Sequence, residues 1–257
     1  VNMVAEPEAR SPFGVLIIHG FTATLESVEA LRKPLQEMGI PVSIPLLAGH
    51  GAPSPDALHG VGWEAWLKDA ELAFRDFSLE VERVIVIGHS MGALLALNLA
   101  VRHPKQVDSL ILATPALRLV SLFAPGRPLH FAAPLVSMII KKWDLKSDLQ
   151  ELRPRCQAPH YAWVPTEAIL SLFELIERTE SLLDRVNVPF MILHNRKEAT
   201  VLPQSATMLC NRVSTASVER SIVWFECSGH QIFCDCERDK AVRTIMTYVA
   251  GRTGRKE

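Results

Sequence analysis

In Gly88-His89-Ser90-Met91-Gly92 a single hydroxyl sits between two glycines where the chain changes character. Val84, Ile85, Val86 and Ile87 before it are β-branched with no polar alternation, which predicts a strand buried on both faces, as in a parallel sheet. From Ala93 to Ala100 the composition switches to leucine and alanine, apolar nearly all round, and predicts a buried helix. The chain must reverse between the two. Glycine at both flanks permits the bend and leaves room for neighbouring backbone. Ser90, at the apex, is then forced outward at a helix N-terminus. A serine hydroxyl is a poor nucleophile until a base takes its proton, so the chemistry needs a histidine within hydrogen-bond reach and a carboxylate to orient it. Nine histidines compete for that role.

The elements that must position these groups alternate along the chain. Strand candidates are GVLIIHG (14–20), IPVSIPL (40–46), RVIVIG (83–88), SLILATP (109–115), VPFMILH (188–194) and SIVWFE (221–226). Helical composition fills the stretches around 26–38, 63–77, 92–102, 205–212 and 238–250. This alternation predicts a mostly parallel sheet covered on both faces, with ligands bound beyond the carboxyl ends of its strands. One interval, from about Ala116 to Leu183, has no strong strand. It holds FAAPLVSMIIKKW (131–143) and TEAILSLFELIERT (166–179), and in the second Ile169, Leu172, Phe173 and Ile176 share a helical face. A helical excursion between two sheet strands is expected to form an inserted cap over the strand ends.

The strand, GHSMG and helix together resemble the G-x-S-x-G nucleophile elbow of the α/β-hydrolase family. The resemblance implies that Ser90 is an acyl-accepting nucleophile and that its partners follow in the order acid, then histidine. Two histidines lie in the terminal third, His194 and His230. His194 ends a strand whose next residues must supply the acid. His230, in FECSGHQIF, resembles the family's S-G-H motif and is expected to be the general base. Between Val188 and Val218 the one carboxylate is Glu198, in NRKEATVLP, where the family usually shows aspartate in a pattern like R-x-D-x-x-V-P. Glu198 is therefore the expected acid, one methylene longer than the family's usual one. Asp184 and Asp235 are weaker substitutes. IIHGFTAT resembles the family's His-Gly-Phe segment, which assigns the oxyanion-binding backbone N–H groups to Phe21 and Met91. His19 is read as a loop brace, His50 of the GHG at 49–51 as structural, and Trp63, Trp66 and Ala70 as packing.

From Gly14 to Val249 the order of HGFT, GHG, GHSMG, the R-K-E stretch and SGH resembles bacterial carboxylesterases and monoacylglycerol lipases with a small cap. The expected fold is α/β: a mostly parallel central sheet flanked by helices, with residues 1–115 and 184–257 as core and 116–183 as helical cap. Leu119, Phe123, Phe131, Ile139 and Trp143 are candidates to line an acyl pocket. The implied reaction is hydrolysis of carboxylic esters of short to medium acyl chains through an acyl-enzyme, with no metal or organic cofactor. Thioesterases, C–C hydrolases and acyltransferases share the apparatus, and the fold does not choose among them. A ligand-binding protein or receptor with vestigial turnover is the alternative of a different class, and the unusual Glu198 is the feature that keeps it open. Serine at the elbow speaks against the family's dehalogenases and epoxide hydrolases, which use aspartate there.

Composition sets the remaining bounds. At 257 residues, 48% hydrophobic and 21% charged, the chain can bury one large core. Its 27 basic and 28 acidic residues leave a formal net charge of -1, which gives no reason to expect nucleic acid or an anionic membrane as partner. Oligomeric state is not legible. Cys156, Cys210, Cys227, Cys234 and Cys236 form neither a disulfide framework nor a zinc motif, and are expected as reduced thiols in a cytoplasmic protein. The opening VNMVAEPEARSPF has no apolar core of a signal peptide, and no apolar run approaches the roughly 20 residues of a membrane span.

Overall fold

The computed structural model describes residues 10–145 and 161–255. The strands, in chain order, are β1 (Ser11–Ile18), β2 (Val42–Ser43), β3 (Val81–His89), β4 (Val107–Ala113), β5 (Lys142–Asp144), β6 (Trp163–Pro165), β7 (Phe190–Asn195) and β8 (Arg220–Phe225). The α-helices are α1 (Arg32–Glu37), α2 (Trp63–Glu80), α3 (Met91–Arg102), α4 (Ala133–Ile139), α5 (Thr166–Glu180), α6 (Gln204–Arg212) and α7 (Arg238–Thr253). Six strands form one sheet in the order β2-β1-β3-β4-β7-β8, and every pairing in it is parallel.

The sheet is buried on both faces, as the unbroken apolar runs require. Leu16, Ile18, Val84, Val86, Leu110 and Leu112 pack on one side with residues of α2, α3 and α5. Val15, Ile17, Ile85, Ile87, Ile111 and Ala113 pack on the other with Leu35 of α1 and Ala241, Ile245 and Val249 of α7. All twelve sheet residues have essentially no solvent exposure, and burying a side chain of valine, leucine or isoleucine stabilises by about 1.5–3 kcal/mol. Within β3 successive residues alternate between these two cores, so a one-residue slip would exchange them.

Two expected elements are shorter than their composition suggests. IPVSIPL yields only the two-residue edge strand β2, because Pro41 and Pro45 flank it and neither can donate to a ladder. The stretch 26–38 begins as two 3-10 turns and becomes α-helical only at Arg32. Between β4 and β7 the excursion contains α4 and α5, as its composition predicts, and also a small antiparallel pair, β5 with β6. α5 lies against the sheet-covering α3 as well: Asn98 Nδ2 donates to Thr179 Oγ1 at 2.9 Å.

Because the long strands run parallel, the carboxyl ends of β1, β3, β7 and β8 share one rim. The segments leaving that rim carry Phe21, Ser90, Glu198 and His230 in turn. Cys234, fully buried near the Ser27 carbonyl, is disulfide-bonded. This corrects the expectation of five reduced thiols, since spacing along a chain does not report which sulfurs meet in space. It also removes the redox ground for a cytoplasmic location, because such bonds persist in oxidising surroundings. Cys156 lies outside the described residues. Among the described residues no helix is long and apolar enough to cross a membrane.

Candidate active site

Ser90 sits between the end of β3 and the start of α3 with φ 55° and ψ -113°. A non-glycine residue at positive φ costs on the order of 1–3 kcal/mol, so the surroundings must hold it there. They do so through backbone: the Ser90 N–H donates to Ala113 O at 2.8 Å, and Ser90 O accepts from Ala93 N at 3.1 Å. The flanking glycines are required by close packing. A Cβ on Gly92 would fall inside the radius of the Ile18 carbonyl oxygen, and one on Gly88 would strike the Gly92 carbonyl. α3 therefore lies directly against the ends of β1 and β3, with every residue from Met91 to Ala100 buried.

His230 comes from the irregular segment between β8 and α7. Its Nε2 lies 2.9 Å from Ser90 Oγ and its Nδ1 lies 2.5 Å from Glu198 Oε1. An ionised carboxylate can only accept, so Nδ1 carries the proton and Nε2 is left to receive one from the serine. Ser90, Glu198 and His230 are 7%, 8% and 8% exposed, which leaves the relay largely out of water but not sealed. The structure thus brings the three expected residues together in the expected sequence of contacts.

Glu198 reaches the imidazole despite its extra methylene. Its loop is zipped to the segment after β4: Val120 N donates to Thr200 O at 3.0 Å, Leu202 N to Arg118 O at 2.7 Å, and Leu119 bridges Val201. Oε1 also accepts from the Val201 N–H at 2.8 Å, so the carboxylate is fixed from its own loop. His194, the other terminal histidine, is fully buried at the end of β7, 3.9 Å from Glu198 Oε2. Burial pushes its pKa down. Asp235 does not orient His230. It is fully buried and accepts from the amides of Gly229 and Cys236, each at 2.8 Å. Asp184 lies in a 3-10 turn before β7.

The two expected amide donors flank the serine. Gly20, next to Phe21, approaches so closely that a Cβ there would lie 3.2 Å from Ser90 Cβ, and Met91 is the first residue of α3. His19 braces the first loop: Nδ1 donates to Gly20 O at 2.9 Å while Nε2 accepts from Leu47 N at 3.2 Å. His50 donates from Nδ1 to Ala48 O at 2.9 Å. Burial holds both rings neutral, His19 at about 4 and His50 at about 3. Trp66 and Ala70 are fully buried in the core, and Trp63 packs against it.

Above Ser90 opens a cavity of about 800 Å³ that also reaches Phe21, His230 and Gln231. Leu119, Phe123 and Trp143 line it as expected. Phe131 and Ile139 do not: they are 78% and 85% exposed. Phe131 lies in a 3-10 turn just before α4. For Ile139 the correction follows from helical geometry, since α4 turns Ala133 and Val136 inward, three residues apart, and its opposite face, with Leu135, Met138 and Ile139, outward. The far wall comes from α5 through Ile169, Leu170, Leu172 and Phe173. Three of these lie on the apolar face legible in the sequence, which marked burial without saying against what. Asp144 and His230 are the ionisable residues among the lining groups, and lysine and arginine are absent from it among the described residues. No group of three or more His, Cys, Asp or Glu among the described residues could hold a metal ion.

Comparison with known proteins bears on the family and the fold. The family model described as serine aminopeptidase, S33 matches residues 11–237. A thermostable monoacylglycerol lipase of Bacillus sp. (strain H-257) is 28% identical over 253 residues, covering 97% of this chain and 96% of that protein. A carboxylesterase of Bacillus subtilis (strain 168) is 26% identical over 236 residues, covering 91% of each. Among solved structures, a metagenome-derived lipolytic enzyme superposes with a TM-score of 0.84 at 24% identity, over 94% of this chain and 95% of that one. The monoacylglycerol lipase of Paleococcus ferrophilus gives 0.73 at 18% identity, over 95% and 96%. With the parallel sheet, the strained serine between β3 and α3 and the histidine returning from beyond β8, the chain belongs to the serine aminopeptidase S33 family, on the α/β-hydrolase fold.

Proposed function

We propose that this chain is a serine hydrolase that cleaves carboxylic esters carrying neutral acyl chains, with Ser90 as nucleophile, His230 as general base and Glu198 as orienting acid. The observation that carries the reading is the continuous relay from Ser90 Oγ through His230 to Glu198 at the mouth of an apolar cavity. Ser90 Oγ attacks the ester carbonyl carbon as His230 Nε2 takes its proton, and the Phe21 and Met91 amides hold the resulting oxyanion. One such donor contributes about 2.7–4 kcal/mol of transition-state stabilisation. Collapse expels the alcohol, which leaves with the proton from His230. Water then repeats the sequence on the acyl-enzyme and releases the acid.

The acyl chain occupies the cavity beneath the described parts of the 116–183 cap, residues 116–145 and 161–183, which cover the described core of 10–115 and 184–255. A volume of about 800 Å³ suits a short to medium chain. Among the described residues the wall bears Asp144 and no cation, which disfavours acyl groups that end in a carboxylate. The receptor alternative rested on Glu198 being unfit, and its contact with His230 takes that support away.

The test is hydrolysis of p-nitrophenyl esters graded by chain length, with a Ser90→Ala control and the monomethyl ester of a dicarboxylic acid as an anionic probe. Turnover of the neutral esters, lost in Ser90→Ala, supports the reading. Tight ester binding without turnover in the native chain would overturn it.

A further inference from the structure

Resting on that reading, we propose that His89 and Asn195 are positioning residues, whose side chains fix the two consecutive carbonyls of Gly229 and His230 and thereby aim the His230 imidazole at Ser90. The base needs such help. It lies in an irregular stretch between β8 and α7, five residues past the strand end, whereas Ser90 follows β3 directly and Glu198 follows β7 by three residues. A catalytic ring held on a loop must be kept within about 0.5 Å of its productive place.

His89 Nε2 lies 2.9 Å from the His230 carbonyl oxygen. A carbonyl only accepts, so Nε2 bears the proton and Nδ1 the lone pair. The His89 ring is wedged 5.1 Å from the His230 ring and edge-on to Phe233 at 5.8 Å, with no surface left to solvent beyond 1%. Burial pushes its pKa to about 3, and the facing rings of His230 and His19 oppose a charge there too. The donor is thus neutral, and adds no repulsion when His230 becomes an imidazolium.

Asn195 supplies the second tie. It is fully buried, and its Nδ2 donates to Gly229 O. The opposite edge of residue 229 is held as well, through its N–H to Asp235 Oδ2 at 2.8 Å. His89 immediately precedes Ser90, and Asn195 precedes Glu198 by three residues. The segment bearing the nucleophile and the segment bearing the acid therefore each send one donor to the backbone of the base, and the Oγ to Nε2 distance becomes a property of a single rigid body.

The test uses the full chain with His89→Phe, His89→Gln and Asn195→Leu, folding being checked by circular dichroism. In His89→Phe and Asn195→Leu, kcat should fall roughly 10–100-fold with KM nearly unchanged, since sub-ångström misplacement of a reacting group acts on the chemical step. The acid limb of the rate–pH profile should move, and His89→Gln, which keeps an N–H donor, should recover part of the loss. The low-field proton resonance of His230 Nδ1–H, readable without turnover, should shift or broaden in both variants. Should His89→Phe fail to fold, Asn195→Leu and His89→Gln carry the comparison. Wild-type kcat and an unmoved resonance in the folded variants would overturn the proposal. A native chain without ester turnover would instead sink the catalytic reading, while the resonance still reports on the clamp.

Discussion

Glu198 Oε1 accepts two hydrogen bonds at once, from His230 Nδ1 at 2.5 Å and from the Val201 amide at 2.8 Å, so one oxygen both holds the His230 ring and anchors its own loop. Replacing it with glutamine removes the charge that stabilises the imidazolium and permits the wrong tautomer. Glu198→Gln should lower kcat by roughly 10³–10⁴-fold. Glu198→Asp keeps the charge but withdraws it by one methylene from a loop zipped in place by residues 118–120, and should give an intermediate rate. Steady-state kinetics on a p-nitrophenyl ester measure both. A glutamine variant at the native rate would remove Glu198 from the relay.

Gly92 is fixed by geometry that leaves no room for a methyl group. A Cβ there meets the Ile18 and His19 carbonyls, which are β-sheet and loop backbone that cannot swing aside as a flexible side chain would. Gly92→Ala should cost at least about 2–3 kcal/mol, a fall in Tm of roughly 5–10 °C for a chain of this size. Thermal unfolding followed by circular dichroism checks it. An unchanged Tm would show that α3 can slide along the sheet, contrary to the packing seen.

What the sequence carried legibly was whatever depends on local pattern. Val84 to Ile87 announce a two-sided strand by having no polar alternation, Gly88 and Gly92 announce a close turn, and the S-G-H loop stands out by its resemblance to the family's motif. Glu198 was picked out as the lone carboxylate between Val188 and Val218, and whether it reaches His230 needed coordinates. Phe131 and Ile139 were misjudged because hydrophobicity marks a residue as apolar without saying which side of a helix meets the cavity, and α4 is too short to bury more than one face. β5 and β6 are three residues each, below the length at which period-2 alternation is readable. His89 and Asn195 lay in full view, but nothing in their neighbours says that they reach to residues 229 and 230, more than thirty positions away for one and over a hundred for the other.

The cavity wall on α5 should set chain-length preference. Leu170 lines the space beyond Ser90, and a tryptophan there fills volume that a longer acyl chain would occupy. Leu170→Trp should lower kcat/KM for the longest accepted ester by about tenfold or more relative to acetate, since each lost methylene contact is worth about 1–3 kcal/mol. Phe131→Ala, in the 3-10 turn that precedes α4, and Ile139→Ala, on the outward side of α4, should leave that ratio unchanged. Competition between p-nitrophenyl acetate and longer homologues reads it. A chain-length shift in the α4 variants but not in Leu170→Trp would reverse the assignment of the wall.

Stability should fall on the acid side of neutrality because three histidines are buried uncharged. Burial lowers His19 to about 4, and His50 and His89 to about 3, from the usual 6.5. In the unfolded chain each binds a proton near its ordinary value, so below about pH 6.5 the unfolded state holds more protons than the folded one and unfolding gains free energy. The contribution is complete above that pH and is lost progressively as pH falls toward 4 and 3. At about 1.4 kcal/mol per unit for each group, the three together amount to several kcal/mol by pH 4, a large share of the total for a domain. Tm should therefore drop steeply between pH 6.5 and 4 at constant ionic strength. Replacing His50 with phenylalanine, which cannot take up a proton in either state, should flatten that slope, and a variant curve parallel to the native one would exclude His50 from the proton uptake.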